Sequence, residues 1–407
     1  MFMKKKIVYI GNFSFPLGNA VAKRVLGIGK ALLLAGYDVT YIGESREIAL
    51  GEISKEMIYE EFKYYNIHKP TSSIEHYLYK ADVKNVCKKL KSWKENAEIA
   101  AVIFCGTKNA FFANAIVNEC KKMKIPTIAD SMDWLNSRTG NIIFDIVKQL
   151  DTNFELRVLN RKANAVIAIS SYLAQYYQRK GLPTVVVPPI SPYTSKPVSE
   201  KKDDNITFIY AGIPCRLGIP LKNANDAKDR LDLVIRLLYS IHKKGYNYQF
   251  YIYGLTKEQY AVVYPDQNLM VEQLVDARKI YFMGFAEEYI VREAIERADY
   301  AILLRDNNRV TMAGFPTKVS ESISLGTPII TTETSDISTY VREGADGYFL
   351  DITDMDSAER KLIRILKGGK NVVEILKKQV RENDNFKPDS YVKTVSWVLD
   401  AAIKNIK

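Results

Sequence analysis

The feature that most constrains this chain is an alternation. Short runs of β-branched and aliphatic residues repeatedly give way to a glycine-bearing turn, a helix-length amphipathic stretch and another short run. Residues 7–10 form the first such run and end at Gly11. After the turn Pro16-Leu17-Gly18-Asn19 a helical stretch continues through Ala35, closes at Gly36, and is followed by a strand at 38–42. A strand, loop, helix, strand order is a right-handed crossover, because parallel neighbours cannot be joined by a tight hairpin. The unit recurs at 100–105, a helix over about 109–123, 127–130, and 165–169 followed by a helix over 171–179. The first half therefore reads as an open α/β sheet.

From Val185 the pattern breaks. A strand runs into Pro188-Pro189, then Pro192, Pro197 and the polar stretch 199–205, which is linker composition. A strand at 206–211 restarts the alternation, with further strands at 248–253, 280–283, 300–304, 328–331 and 347–350. With 407 residues to place, at about 150 residues per domain, the expectation is two α/β domains, 1–190 and 206–385, joined by a linker at 191–205. Pro388 precedes a last helical run, 389–404, within a terminal segment 386–407; Tyr391, Val395, Val398, Leu399 and Ile403 fall on one face of it.

A hydrophobic fraction of 47% with 26% charged residues suits a globular chain and leaves little support for disorder. The net charge of +11 favours an anionic partner: nucleic acid, nucleotide, phospholipid surface or phosphorylated intermediate. No basic-aromatic strand pattern supports nucleic acid. Cys87, Cys105, Cys120 and Cys215 are widely spaced and accompanied only by His68, His76 and His242, which argues against a zinc site or a disulfide framework. No apolar run nears the roughly 18 residues of a membrane span, and the basic start has too short an apolar stretch for a signal peptide. These features point to a cytoplasmic protein able to touch a membrane surface.

Three familiar signatures are set aside. Gly27-Ile28-Gly29 lies inside the first helix, so small packing residues explain it better than a dinucleotide fingerprint. Asp354-Met355-Asp356 opens a helix, where acids suit the positive helix end, which favours capping over metal binding. No Walker lysine, His-Glu-x-x-His or Gly-x-Ser-x-Gly is present.

The informative stretch is 313–330, AGFPTKVSESISLGTPII. A loop with Gly314, Phe315, Pro316 and Thr317 leads into a helix carrying Lys318, Ser320 and Glu321, which stops at Gly326 before a strand. Backbone N–H groups at a helix N-terminus suit an anion, Thr317 and Lys318 add a hydroxyl donor and a cation, and Glu321 could accept two ribose hydroxyls. An ordinary loop with a capping threonine and a solvated lysine explains the same residues.

This stretch, with Glu343-Gly344-Ala345-Asp346-Gly347-Tyr348 after it, resembles the nucleotide-binding half of the retaining GT-B glycosyltransferases of the family-four type. Their motif reads Glu, seven residues, Glu, before Gly-x-Pro-hydrophobic. The likeness extends along nearly the whole chain. Residues 11–18 resemble the N-terminal glycine loop, which includes Gly18; 163–177 the interdomain-side strand and helix; Tyr210-Ala211-Gly212 the opening strand of the donor domain. Residues 227–235 resemble the lysine-bearing helix start, and Phe282-Met283-Gly284-Phe285 the base-side turn. The resemblance implies two Rossmann-like, doubly wound parallel-sheet domains facing a cleft, with the terminal helix crossing back to the first.

It also implies roles. Arg216 and Lys228 match the two cations that hold the donor diphosphate, with Lys222 and Arg230 as rivals across a long interval. Glu321 matches the ribose-binding glutamate. Gly18, Gly284, Phe285, Gly314, Phe315, Pro316, Thr317 and Lys318 fall at donor-binding positions, and the first motif glutamate is replaced by Ala313. Two fixed cations can stand in for a metal at a leaving diphosphate, so no metal or other cofactor is expected.

In the first domain, 128–134 leave a strand at its carboxyl end, the usual ligand edge. Asp130 or Asp133 could orient the acceptor hydroxyl or donor sugar with Trp134 as a stacking face, and a turn with a capping aspartate explains the same residues. The stretch 83–93 sets Val83, Val86, Leu90 and Trp93 against Lys84, Lys88 and Lys91, a pattern suited either to an anionic bilayer or to a core face with a solvated back. The expectation is a nucleotide-sugar glycosyltransferase acting on a glycan or lipid-linked glycan in polysaccharide or glycoconjugate biosynthesis. The alternative is a catalytically silent GT-B-like protein that binds a glycan or a partner glycosyltransferase.

Overall fold

The computed structural model describes residues 5–16, 19–72, 75, 78–96, 99–106, 109–134, 142–193, 205–221, 223 and 226–406, except for the side chains of 142–145. Its internal contacts divide the chain into two units, Met1–Pro192 with Ala313–Phe315 and Lys387–Lys407, and Tyr193–Met312 with Pro316–Phe386. Most of the expected linker lies outside the described residues.

The first unit is built on an eight-stranded sheet in the order β3-β4-β2-β1-β5-β6-β7-β8. Its strands are β1 Lys6–Gly11, β2 Asp38–Ser45, β3 Met57–Tyr59, β4 Phe62–His68, β5 Ile99–Cys105, β6 Thr127–Ser131, β7 Ala165–Ala168 and β8 Thr184–Val186. Every pair is parallel except the antiparallel β3–β4 hairpin. Side chains alternate across a strand, and a parallel sheet is covered on both faces, so β1 feeds two cores. Ile7 and Tyr9 join the helices Ala20–Leu34 and Val392–Lys404 through Val25, Leu32, Val395 and Leu399, while Val8 and Ile10 meet Val86, Leu90, Phe112 and Ile116 on the other face.

The Gly27 and Gly29 pair serves close packing. A Cβ on Gly27 would lie 2.3 Å from the Ile190 carbonyl oxygen, and one on Gly29 would lie 1.7 Å from the Tyr41 hydroxyl. The basic helix Lys80–Asn96 buries Val86 and Leu90. Two of its lysines are engaged within the protein: Lys89 Nζ sits 4.3 Å from the Tyr65 ring, and Lys91 pairs with Glu119 at 2.9 Å. The sequence run looks acid-free because Glu119 comes from the neighbouring helix, Ala110–Lys122.

The second unit is a six-stranded, wholly parallel sheet ordered β11-β10-β9-β12-β13-β14. The strands are β9 Thr207–Ala211, β10 Gln249–Tyr253, β11 Ile280–Gly284, β12 Tyr300–Leu303, β13 Ile329–Thr331 and β14 Gly347–Phe349. Strand order reverses between β9 and β12, and ligands of open α/β sheets bind outside the carboxyl ends at such a switch point. The corresponding point in the first unit lies between β1 and β5. Asp354 caps the helix Met355–Lys367, accepting from the Ser357 N–H at 2.9 Å. Among the described residues no helix is long and apolar enough to cross a membrane.

Candidate active site

At the switch point of the second unit, β9 is followed by Gly212 (φ +147°), β10 by Gly254 (φ +101°), and β11 ends in Gly284 (φ +66°). The Gly212 N–H donates to the Tyr253 carbonyl at 2.9 Å and the Gly254 N–H to the Gly284 carbonyl at 2.8 Å, so the three turns form one edge. Lys318 passes close over Gly212: a Cβ there would lie 2.2 Å from its Cε, so a larger residue would displace the end of the lysine. The lysine projects from the first turn of the helix Thr317–Ser324, which begins at Pro316 with no side-chain cap.

Lys318 ends on a carboxylate that the sequence reading did not single out. Its Nζ lies 2.8 Å from Asp229 Oδ2, and the Tyr210 hydroxyl donates to the same oxygen at 2.7 Å. Arg305 binds the other oxygen through Nε and Nη2, both at 2.8 Å. Asp229 is 1% exposed and Arg305 4%. Burial alone would raise the Asp229 pKa; the charges of Lys318 and then Arg305 overcome it and hold the carboxyl well below the ordinary aspartate range. Asp229 thus meets two cations, Lys318 and Arg305, while the adjoining Arg230 meets two carboxylates, Asp232 and Asp306. Nη1 of Arg305, Oγ1 of Thr331 and Thr334, and Oγ of Ser335 are buried without a hydrogen-bond partner among the described residues. All four sit at or just past the carboxyl ends of the paired strands β12 and β13.

The expected donor residues fall around this node unevenly. Glu321 is half-buried three residues beyond Lys318, hence on the same helix face. Arg216 and Lys228 are exposed in the segment between β9 and the helix Leu231–Lys243, where the Lys228 N–H donates to the Pro214 carbonyl at 2.9 Å. The rival Arg230 is committed to Asp232 at 2.7 Å and Asp306 at 2.8 Å, and Lys222 lies outside the described residues. Gly284 is followed by Phe285, which at 64% exposure presents an open aromatic face. Thr317 is half-buried and Pro316 buried at the helix start. Gly314 and Phe315 count with the first unit, and the Phe315 side chain is 4% exposed. Ala313 is fully buried, and its carbonyl accepts from the Ser170 hydroxyl at 2.6 Å. Gly18 lies outside the described residues.

In the first unit two expectations need correction. Asp130 is 2% exposed and faces the core, where Arg24 binds it through Nη2 at 2.7 Å and Nε at 3.1 Å and the Tyr9 hydroxyl donates to it at 2.6 Å. That ion pair, with Arg24 also donating to the Val187 carbonyl at 2.8 Å, ties a helix to the sheet and accounts for the aspartate without an acceptor sugar. Trp134 is 8% exposed, with Tyr176 edge-on at 5.1 Å and the Arg157 guanidinium 5.7 Å from its ring, so its faces serve packing rather than sugar stacking. Asp133, half-buried in the loop after β6, remains the candidate. Glu155, unmarked in the sequence, is pushed up to about 7 by burial and, secondarily, by the charge of Asp151.

Residues 223–383 match the family model described as glycosyl transferases group 1. The chain carries a group 1 glycosyl transferase domain. The matched segment contains Lys228, Asp229, Gly284, Arg305, Lys318 and Glu321. No curated protein matches the chain in sequence. Solved structures do match in fold. The catalytic domain of starch synthase IV from Arabidopsis thaliana, bound to ADP and acarbose, covers 99% of this chain and 100% of its own at 10% identity with a TM-score of 0.68. Sucrose-phosphate synthase from Thermosynechococcus elongatus covers 97% and 98% at 13% identity and 0.65. Anabaena HepE in complex with UDP and glucose covers 98% and 100% at 11% identity and 0.59. The fold of this glycosyltransferase is GT-B, and its enzyme class is that of the nucleotide-sugar glycosyltransferases. Among the described residues no group of three or more His, Cys, Asp or Glu is placed to hold a metal ion.

Proposed function

We propose that the protein moves a sugar from a nucleotide sugar to a hydroxyl of a glycan or lipid-linked glycan, with retention at the anomeric carbon and without a metal, in polysaccharide or glycoconjugate biosynthesis in the cytoplasm. The observation that carries this reading is the node of Asp229 with Lys318 and Arg305. It sets two fixed cations on one carboxylate and leaves a buried guanidinium N–H with no partner among the described residues at the carboxyl end of β12. As the bond to the sugar breaks, the departing diphosphate gathers negative charge. Lys318, with Arg216 and Lys228, supplies fixed cations to receive it. A preorganised contact of this kind is worth about 3–4 kcal/mol of barrier. Glu321 takes the ribose hydroxyls, Phe285 offers a face to the base, and Asp133 orients the acceptor hydroxyl. The nucleoside diphosphates named with starch synthase IV and HepE support a donor of this class.

Titration calorimetry of UDP and ADP in chelator tests the donor assignment. Binding without metal, weakened by Glu321→Ala, is the expected result; a magnesium requirement, or unchanged affinity in the variant, refutes the ribose and cation roles. One observation favours a second reading, a catalytically silent binder: Ala313 stands where the family motif has glutamate, and its position is fully buried. Tight nucleotide binding with neither transfer nor donor hydrolysis would select that reading.

A further inference from the structure

The amino-terminal edge of the first unit's sheet carries a separate cavity of about 660 Å³. In a parallel α/β layer each helix runs back against its strand, so helix C-termini gather at the amino ends of the strands. Four helical runs end around this cavity: Ala110–Lys122, the run through Lys162, Ser171–Gln178 and Val392–Lys404. Six cations line it: Lys121, Lys124, Arg157, Arg161, Lys162 and Lys180. No acidic residue lines it. None of the six is paired with a carboxylate among the described residues, although Lys162 bonds Asn114 at 2.7 Å and Arg157 lies over Trp134.

Basic residues at helix C-termini have an ordinary explanation, since each C-terminus carries roughly −0.5 charge. Four termini come to about −2 on that scale, against five cations, since the guanidinium of the sixth, Arg157, lies on Trp134. Dipole complementation thus accounts for about two fifths of the charge, and a surplus of about +3 remains. Lys124 occupies the left-handed position (φ +55°) just after the helix Ala110–Lys122, where glycine or asparagine is usual. A volume of 660 Å³ falls within the ordinary range for ligand pockets.

We propose that this cavity binds a phosphate-bearing polyanion. Phosphate oxygens accept charge-assisted bonds from ammonium groups and paired bonds from guanidinium forks, both of which line the walls. The site is distinct from the sugar-transfer edge: Thr127, at the start of β6, lines it, whereas the loop carrying Asp133 leaves the other end of that strand, about 13 Å away at 3.3 Å per residue.

The test uses the full chain, tripolyphosphate as a soluble probe, and phosphatidylcholine vesicles with and without phosphatidylglycerol, each at low and raised salt. The variants are Lys124→Gln/Arg161→Gln/Lys180→Gln in the cavity and Lys318→Gln in the second unit. The wild type binds tripolyphosphate in a salt-sensitive way, and the triple variant loses at least about tenfold in that event, since one charge-assisted bond alone is worth about that much. Lys318→Gln retains the event. If vesicle pelleting also depends on phosphatidylglycerol and falls in the triple variant, the ligand is a lipid headgroup; loss confined to tripolyphosphate names a soluble phosphate. Equal binding by wild type and triple variant, or no binding of either probe by the wild type, overturns the proposal. Matching melting curves verify the fold, and the exposed single variants Lys124→Gln and Lys180→Gln replace the triple if it does not fold.

Discussion

Replacing Asp229 with asparagine is the sharpest perturbation of the donor node. The wild-type carboxylate, 1% exposed, accepts from Arg305, Lys318 and Tyr210 at 2.7–2.8 Å. Asparagine keeps the shape but removes the charge and turns an acceptor into a donor, leaving a buried guanidinium and a half-buried ammonium with no counter-ion between them. Breaking a buried pair from one side costs about 3–5 kcal/mol. For a unit of about 190 residues at roughly 2–4 °C per kcal/mol, its melting transition falls by roughly 6–20 °C. Lys318→Gln leaves Asp229 on Arg305 and costs less, about 1.5–3 kcal/mol. The pH dependence follows from sign. The Asp229 carboxyl is held well below the ordinary aspartate value of about 3.9, so its contribution is fully present above that value and lost only as pH falls through the depressed folded value. Thermal melts of wild type and Asp229→Asn from pH 8 to pH 3 read both effects. A variant that melts with the wild type at pH 7, or a gap that closes while pH is still near 6, would refute the assignment of a buried, ionised node.

Other expectations concern single positions. Glu155 titrates near 7 in the folded chain against an ordinary 4.5, so its ionisation costs stability as pH rises between those values; Glu155→Gln gains nothing near pH 4.5 and up to about 3 kcal/mol above pH 7, read by urea unfolding at both pH values. Arg216→Ala and Lys228→Ala lower turnover more than nucleoside diphosphate affinity, because charge on the diphosphate grows as it leaves, and steady-state kinetics beside calorimetry separate the two. If affinity falls as far as turnover, they bind the ground state only. Gly212→Ala strains a φ of +147° and pushes Lys318 off its path, so nucleotide affinity falls with a stability loss of about 1–3 kcal/mol; an unchanged dissociation constant would remove Lys318 from the donor site.

The strands were legible because their apolar runs are short and end at glycine, as at Gly11, Gly212 and Gly284, where the fold needs a close approach or a positive φ. The β3–β4 hairpin was not, since Met57–Tyr59 is three residues long and none of them is fully buried. The node escaped for a different reason. Lys318 lies 89 residues and Arg305 76 residues from Asp229, and only the strand order brings them together. A signal existed: Arg305 follows the apolar run of β12 directly, at the ligand edge of an α/β sheet. The same edge rule located Asp130 and Trp134 but could not say which way they turn. Asp130 points inward because Arg24, 106 residues away, reaches it from a helix that packs on that face.

Ala313 and the node bear on one question, whether this site has been kept for chemistry. A buried ion pair is a poor way to stabilise a fold, since well-packed apolar residues in its place are often neutral or better by about 1–4 kcal/mol. Here the arrangement is costlier still. Arg305 Nη1 and three nearby hydroxyls are buried without a partner among the described residues, and each such group carries a penalty of about 1–3 kcal/mol. Four of the nine such groups among the described residues lie at the carboxyl ends of β12 and β13, beside the point where this sheet's strand order reverses. A diphosphate suits them, because its oxygens accept from guanidinium, ammonium and hydroxyl donors alike. Compared with the family motif, the stretch has exchanged an acid at 313 for alanine and carries a lysine at 318, which together make it more positive; Asp229 then removes part of that charge and fixes where the ammonium sits. If the proposed donor role holds, the exchange removes a carboxylate and leaves Lys318 to meet the charge of the leaving group, and loss of turnover in Lys318→Gln without loss of Asp229 burial is the result expected of it.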